Sequence, residues 1–379
     1  MATLSPTLES TPVLRKRRRI GVALLLACIC LFGLDAVLFR TRLYTSILEP
    51  ASAAGYFEMV LRREREAQSW LGDNVVVTLG NSRFGYSPKI IDHLPVKAAY
   101  VLRQAGIGGT NALVWYYMLR DLDPTAQRYR AIVFAVDDYD DEDRLSQPDD
   151  DITALHYVIA RLRWSDTIEF ARSFHSRQVQ WEAFRSAALK GIAYQSDILA
   201  FLTHPWERLA SIELHRGGFA HWTYDYVETP RSMVGLQVDW STMKATFPPT
   251  FDQNQRDTVS FLMSADPQNG RLAAYRRKWF GKIIDRYRGS RTKIIFIRLA
   301  RGPILRPDNL VKKLSSSIRE FAFRPNVILA DEHTFDSLEH PEFYKDGVHL
   351  NREGAARFSQ MLSDLVTRIL GAPDQHTAR

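Results

Sequence analysis

Cysteine is almost missing from this chain: Cys28 and Cys30 are the only two in 379 residues, and both sit in one apolar run. The rest of the chain therefore has no disulfide, no thiol nucleophile and no cysteine-held metal, and its stability must come from packing. Metal-ligand spacing is scarce too. His204, His215 and His221 do not recur at zinc intervals, and the acidic stretches 137–143 and 149–151 lack the glycine and closing glutamate of a calcium loop. Gly106-Ile107-Gly108 opens like a dinucleotide loop, but Asn111 stands where the third glycine is required. No cofactor and no metal is expected. An excess of one charge is also lacking. The formal net charge is +7, but residues 1–40 hold six Lys/Arg against Glu9 and Asp35, leaving 44 basic against 41 acidic side chains beyond them. A net of +3 is no footprint for nucleic acid. No internal repeat is visible.

Only one long hydrophobic run exists. Residues 20–39 are apolar except for Asp35, about the length needed to cross a bilayer, and Arg15, Lys16, Arg17, Arg18 and Arg19 precede them directly. The positive-inside rule then puts the N-terminus in the cytoplasm and the remainder outside, as a single-pass membrane protein with an extracytoplasmic domain. A cleaved signal peptide is the rival reading. The run is long for a signal core, and the small residues Ala51-Ser52-Ala53-Ala54 lie far beyond its end, so the uncleaved anchor is preferred. Asp35, near the outer end, is expected to reach the interface instead of serving a buried role.

Residues 1–19 read as a basic tail whose first 14 residues are polar and disordered, and 40–71 as a connector ending in a surface helix over 56–70. From 72 to 371 apolar strand patterns recur at 74–79, 98–102, 131–136, 293–299 and 326–329, separated by helical periodicity, most clearly at 112–122 and 273–287. Each strand is followed by a polar or glycine-rich cluster. This alternation predicts an α/β domain with a parallel sheet covered on both faces and ligands beyond the strands' carboxyl ends. Residues 152–292 break the rhythm. They are largely helical and rich in tryptophan (Trp164, Trp181, Trp206, Trp222, Trp240), and read as an insertion punctuated near Gly217 and Pro230: a cap or partner surface, or simply more core. Residues 372–379 form a flexible tail.

Asp346-Gly347-Val348-His349-Leu350-Asn351 carries the strongest chemical signal. A carboxylate three residues before a histidine, across a glycine, can fold back onto one ring nitrogen and leave the other as a base. Asn351 is a good N-cap for the helix marked by Phe358, Met361, Leu362, Leu365, Val366 and Ile369, which Gly371 and Pro373 end. The nucleophile that fits is Ser82 in Gly80-Asn81-Ser82-Arg83, directly after the first strand, where a tight turn exposes a hydroxyl near a helix start. The competing role for Ser82 is turn capping; for Asp346 and His349 it is a helix-capping loop.

These blocks resemble those of the SGNH (GDSL-like) hydrolase superfamily. Gly80-Asn81-Ser82 looks like the nucleophile block and Gly106-Ile107-Gly108-Gly109-Thr110 like the second. The last is similar to Asp346-Gly-Val-His349. The resemblance implies a flavodoxin-like three-layer parallel sheet and a Ser82–His349–Asp346 triad. It also implies an oxyanion hole from the amides of Ser82 and Gly109. Anchored members with Leu-Asn after the histidine resemble extracytoplasmic proteins of surface-polymer acylation, of the alginate O-acetylation and teichoic acid D-alanine transfer types. By that resemblance the partners would be a glycan or polymer substrate and a polytopic membrane acyltransferase. Two departures stand out. Asn81 and Arg83 flank the serine in place of Asp and Leu, and Asp137 occupies the place of the oxyanion-hole asparagine. An ionised carboxylate there would repel an oxyanion. Either Asp137 is held protonated, or it points elsewhere, or the hole uses the two amides alone. The expected chemistry is serine-dependent acyl transfer to or from a polysaccharide. An anchored esterase and a catalytically silent scaffold are the alternatives.

Overall fold

Five parallel strands carry the architecture of the computed structural model: β1 (Val75–Leu79), β2 (Val101–Gln104), β3 (Ala131–Val136), β6 (Lys293–Arg298) and β7 (Val327–Leu329). Two more, β4 (Gln237–Asp239) and β5 (Lys244–Thr246), form a separate antiparallel hairpin that the sequence patterns did not announce. The structure describes residues 12–41, 43–68, 74–85, 99–141, 153–218, 233–263, 271–305 and 315–371. Most of the expected N-terminal tail, Trp70, the acidic stretch 149–151, His221, Trp222, Pro230 and the expected C-terminal tail lie outside the described residues.

The order of the large sheet is β2-β1-β3-β6-β7, every pair parallel. Counted along the chain this is 2-1-3-4-5, one of the two common doubly wound orders, and its crevice opens beyond the carboxyl ends of β1 and β3. β-branched side chains suit these strands because both faces are covered. Val75, Val77, Leu79, Ile132, Phe134, Ile294 and Phe296 enter one core cluster, and Val76, Val133, Ile295 and Ile297 enter the other. The strands are thus the middle of three layers. The first face is closed by α2 (Ala53–Gln68), α3 (Ala112–Leu122) and α8 (Arg271–Arg286). The second is closed by α7 (Gln253–Met263) and α9 (Arg352–Leu370). The helices α4 (Arg177–Ala188), α5 (Gln195–Thr203) and α6 (Pro205–Gly218) lie between β3 and β6 in the chain.

Two expectations need revision. The Glu- and Arg-rich helix before β1 is a layer of the core, not a surface element: Phe57, Val60 and Leu61 are buried, and so is Glu64, which accepts from Arg63 and from Arg103 of β2. Its charges are paired inward, which composition alone conceals. The insertion is also shorter than 152–292. Ala154, Leu155 and Val158 at one end, and Trp279, Phe280 and Ile283 of α8 at the other, pack into the same cluster as the sheet.

Ahead of the domain, α1 (Pro12–Asp35) continues as a π-helical turn over Ala36–Arg40. The run Arg19–Ser46 is long and apolar enough to cross a membrane. Its outer end is not free. Asp35 is buried, and its Oδ1 accepts the Gly191 amide at 2.8 Å. Arg40 donates to the Ala187 and Ala188 carbonyls and lies 3.5 Å over the Trp164 ring. The expectation of an interfacial Asp35 is therefore corrected: the carboxylate caps a turn of the insertion and docks it on the helix.

Candidate active site

The turn after β1 is set by glycine. A Cβ on Gly80 would stand 2.6 Å from Cβ of Phe84, and one on Gly106 would stand 2.7 Å from both N and O of Gly80. The loops ending β1 and β2 therefore touch backbone to backbone. Within the first loop the Asn81 Oδ1 accepts the Arg83 amide at 2.9 Å and the Asn81 carbonyl accepts the Phe84 amide at 3.1 Å. Phe84 is fully buried and meets Phe358 of α9 edge-on at 5.8 Å. The chain thus turns with Phe84 inward and half-buried Ser82 at the sheet's edge. The helix start expected near Ser82 would follow in residues 86–98, which lie outside the described residues.

On the other side of the crevice the loop before α9 is pinned at both ends. The Lys345 amide donates to the His349 carbonyl at 3.0 Å, and the Asn351 amide to the Phe343 carbonyl at 2.8 Å. Asn351 Oδ1 caps α9 by accepting the Gly354 amide at 3.0 Å. A Cβ on Gly347 would fall 2.6 Å from Cγ2 of Thr258, so glycine there lets α7 pack on the loop. Asp346 Oδ1 accepts the amides of Val348 and His349 at 2.9 and 2.8 Å. The same carboxylate lies 3.1 and 3.0 Å from His349 Nδ1 through its two oxygens, and His349 Nε2 lies 3.0 Å from Ser82 Oγ.

A serine, a histidine and an aspartate separated by up to 267 positions thus form one hydrogen-bonded line. With Nδ1–H donated to the carboxylate, Nε2 is left to accept the serine proton. Burial pushes the Asp346 carboxyl up. The hydrogen bond from His349, the charge of that ring and the two amides outweigh it, and the group titrates below its ordinary value.

Asp137 is brought to the same edge, since β3 ends beside β1, but it offers no donor. Its Oδ2 accepts Asn81 Nδ2 at 2.8 Å, and its Oδ1 pairs with Arg83 Nη1 at 2.7 Å. Both side chains of the ion pair are buried, at 4% and 1% exposure. Of the three outcomes open to Asp137, it is turned elsewhere, and its place as an oxyanion donor is withdrawn. Arg83 reaches on to the Ala300 and Arg301 carbonyls at 3.0 and 2.7 Å. Asn81, Arg83 and Asp137, the residues that make up the two unexpected positions, bond to one another. No single motif predicts that network; the signal was the coincidence of a basic and an acidic departure at neighbouring strand ends.

Gly109 lies in the loop between β2 and α3 with φ +70°, a conformation that favours glycine. Tyr157 donates to the carbonyl of the preceding Gly108 at 2.7 Å, and a Cβ on Gly109 would meet that hydroxyl at 3.4 Å. Tyr157 went unnoticed in the sequence because it lies in the segment assigned to the insertion. Among the described residues, no group of three or more His, Cys, Asp or Glu side chains could hold a metal ion. No protein-family model matches the chain, and no curated protein matches it at a significant level.

Proposed function

We propose that this chain is an SGNH-like serine acyltransferase or esterase, held at the inner membrane by residues 20–39 and acting outside the cytoplasm on an exported or surface polysaccharide. The observation that carries the reading is the Ser82–His349–Asp346 line at the carboxyl edge of a 2-1-3-4-5 sheet. His349 takes the Ser82 proton as Oγ attacks an ester carbonyl. The amides of Ser82 and Gly109 hold the oxyanion, and His349 passes the proton to the departing alcohol oxygen as its C–O bond breaks. The acyl group then moves from Ser82 to water or a sugar hydroxyl, whose proton returns through His349 to Ser82. A polytopic membrane acyltransferase is the proposed acyl donor. The competing reading, a silent scaffold, has one observation in its favour: residue 137 supplies no amide donor. A missing donor of this kind costs about 10²–10³-fold in rate, which slows an enzyme without abolishing it.

Because Asp35 and Arg40 bond to the domain, the full chain in detergent is the form to assay. Release of p-nitrophenol from its acetate should be measurable and should vanish in Ser82→Ala and His349→Ala. Undetectable activity, or activity unchanged in both variants, sinks the catalytic reading. Ester-bearing product after addition of a glycan acceptor, read by mass spectrometry, separates transferase from hydrolase. A phosphatase reporter fused after residue 60 should be active, and a silent reporter removes the proposed topology.

A further inference from the structure

Outside the apolar run and its exit at residues 20–43, fifteen large apolar side chains are exposed among the described residues, and nine of them fall within residues 164–214. Chance does not concentrate them so. On α5, Leu199 and Leu202 stand one turn apart and are 62% and 69% exposed; on α6, Trp206 is 80% and Leu214 75% exposed. The inward sides of these helices carry polar anchors beside the half-buried Ile198 and Ile212, and the exposed side carries these apolar residues together with Glu207 and Glu213. Arg208 is buried, donating to the Ile47 carbonyl at 2.9 Å and pairing with Glu49 at 2.8 Å. Ser211 donates to Glu49 at 2.7 Å, and Tyr44 donates to Asp197 at 2.6 Å. α5 and α6 are therefore fastened through Asp197, Arg208 and Ser211 to the connector that follows α1, and Leu199, Leu202, Trp206 and Leu214 are left exposed.

The fastening fixes the level of this surface. Tyr44 is five residues beyond Phe39, and five residues reach about 18 Å at most. Phe39, Tyr44 and Tyr194 cluster, with ring centroids 4.8 to 5.4 Å apart. Closer still, Trp164 touches the Phe32 ring of α1 at 5.9 Å while its face lies under Arg40. A side chain of the domain thus contacts a side chain inside the apolar run. Trp181, 62% exposed, is stacked on Phe184 at 5.8 Å, with exposed Arg177 and Arg185 four residues to either side. Tryptophan beside arginine is the pattern of a lipid headgroup boundary, where the ring sits among glycerol groups and the cation meets phosphate.

We propose that α4, α5 and α6 lie on the lipid surface, a second membrane contact beside the spanning helix, with Leu199, Leu202, Trp206 and Leu214 entering the headgroup–acyl boundary. The proposal rests on the reading of α1 as a membrane span. It makes the insertion a platform that holds the domain against the bilayer, in place of a tether about which the domain swings. Lipid is favoured over a second copy because the surface is continuous with the span itself and because its α4 end carries the exposed Arg177 and Arg185, although α6 also exposes Glu207 and Glu213.

The test uses the full chain in vesicles of phosphatidylethanolamine and phosphatidylglycerol. Single environment-sensitive fluorophores are attached at Cys30 (in Cys28→Ala) and, with both native cysteines replaced by alanine, through Leu202→Cys, Trp206→Cys or Phe323→Cys. Phe323 is 91% exposed and far from this segment in sequence, and serves as the aqueous reference. Nitroxide-labelled lipids should quench probes at 30, 202 and 206 several-fold more than at 323, with 202 and 206 about 5–10 Å below the headgroups. Quenching at 30 with none at 202 and 206 overturns the surface contact and leaves the anchor standing. No quenching at 30 overturns the anchor, and the surface contact with it. Probes at 202 and 206 that are shielded from aqueous iodide yet untouched by lipid nitroxide would identify a protein occupant and also refute the proposal.

Discussion

Arg83 donates to Asp137 at 2.7 Å inside the crevice between β1 and β3, and the same guanidinium holds the Ala300 and Arg301 carbonyls at the end of β6. One ion pair therefore ties three adjacent strand ends behind Ser82. Removing one member strands a buried charge, at a cost of about 3–5 kcal/mol. Asp137→Asn, which restores the amide of the familiar motif, should thus lower stability by that order and should not raise activity. Arg83→Met combined with Asp137→Asn should recover part of the loss, because no charge is left unpaired. Chemical denaturation of the unchanged protein, Arg83→Met, Asp137→Asn and the double variant closes the cycle; additive losses would show that the pair is not coupled.

Asp346 bonds two amides through one oxygen and faces the imidazole with both. Asn in its place still accepts from the amides but presents an NH₂ that the ring's Nδ1–H cannot use, which favours the wrong tautomer. Asp346→Asn should therefore keep its melting temperature within a few degrees and lose on the order of 10⁴ in kcat. An active, equally stable Asp346→Asn protein would dismiss the carboxylate as the orienting group.

The contact between Gly106 and Gly80 leaves no room for a methyl group, since both close atoms are backbone. Gly106→Ala has to push the β1 and β2 loops apart, and should cost about 1–3 kcal/mol. The same displacement should lower activity further, because Ser82 is two residues past Gly80. Unchanged denaturation and turnover would mean the loops separate freely.

Lys190 is 1% exposed, and its Nζ donates to the Ala160 carbonyl at 2.9 Å. Burial, reinforced by the nearby Arg40 charge, pulls its pKa down to about 7, against smaller opposing effects of Asp35 and Glu58. In the unfolded chain the amine keeps its ordinary value near 10.4. Between these limits the unfolded state binds the extra proton, so folding stability rises with pH, by about 1.4 kcal/mol per unit at most. Lys190→Met should flatten that rise between pH 7 and 9. Identical slopes for the two proteins would contradict the depressed value.

Local order was legible in the sequence because it depends on neighbours in the chain. Continuous apolar runs closed by a glycine-rich or polar cluster gave β1, β3 and β6. The helical spacing of Phe358, Leu362, Leu365 and Val366 gave α9, with its cap at Asn351. Asp-Gly-Val-His closes on itself through a three-residue turn, and its carboxylate–imidazole contact follows from that turn alone. Tertiary structure decided what depends on partners far away. Asp137 lies 54 residues from Arg83, so whether its charge faces a substrate or a guanidinium was not written in either motif. Asp35 meets Gly191 across 156 residues, and Glu64 meets Arg103 across 39. Composition read the first as interfacial and the helix of the second as surface. A charge is buried only when its partner arrives, and no local pattern records that arrival. Ser82 and His349 show both sides. Each was prepared by its own turn, and the parallel order of the sheet set them 3.0 Å apart.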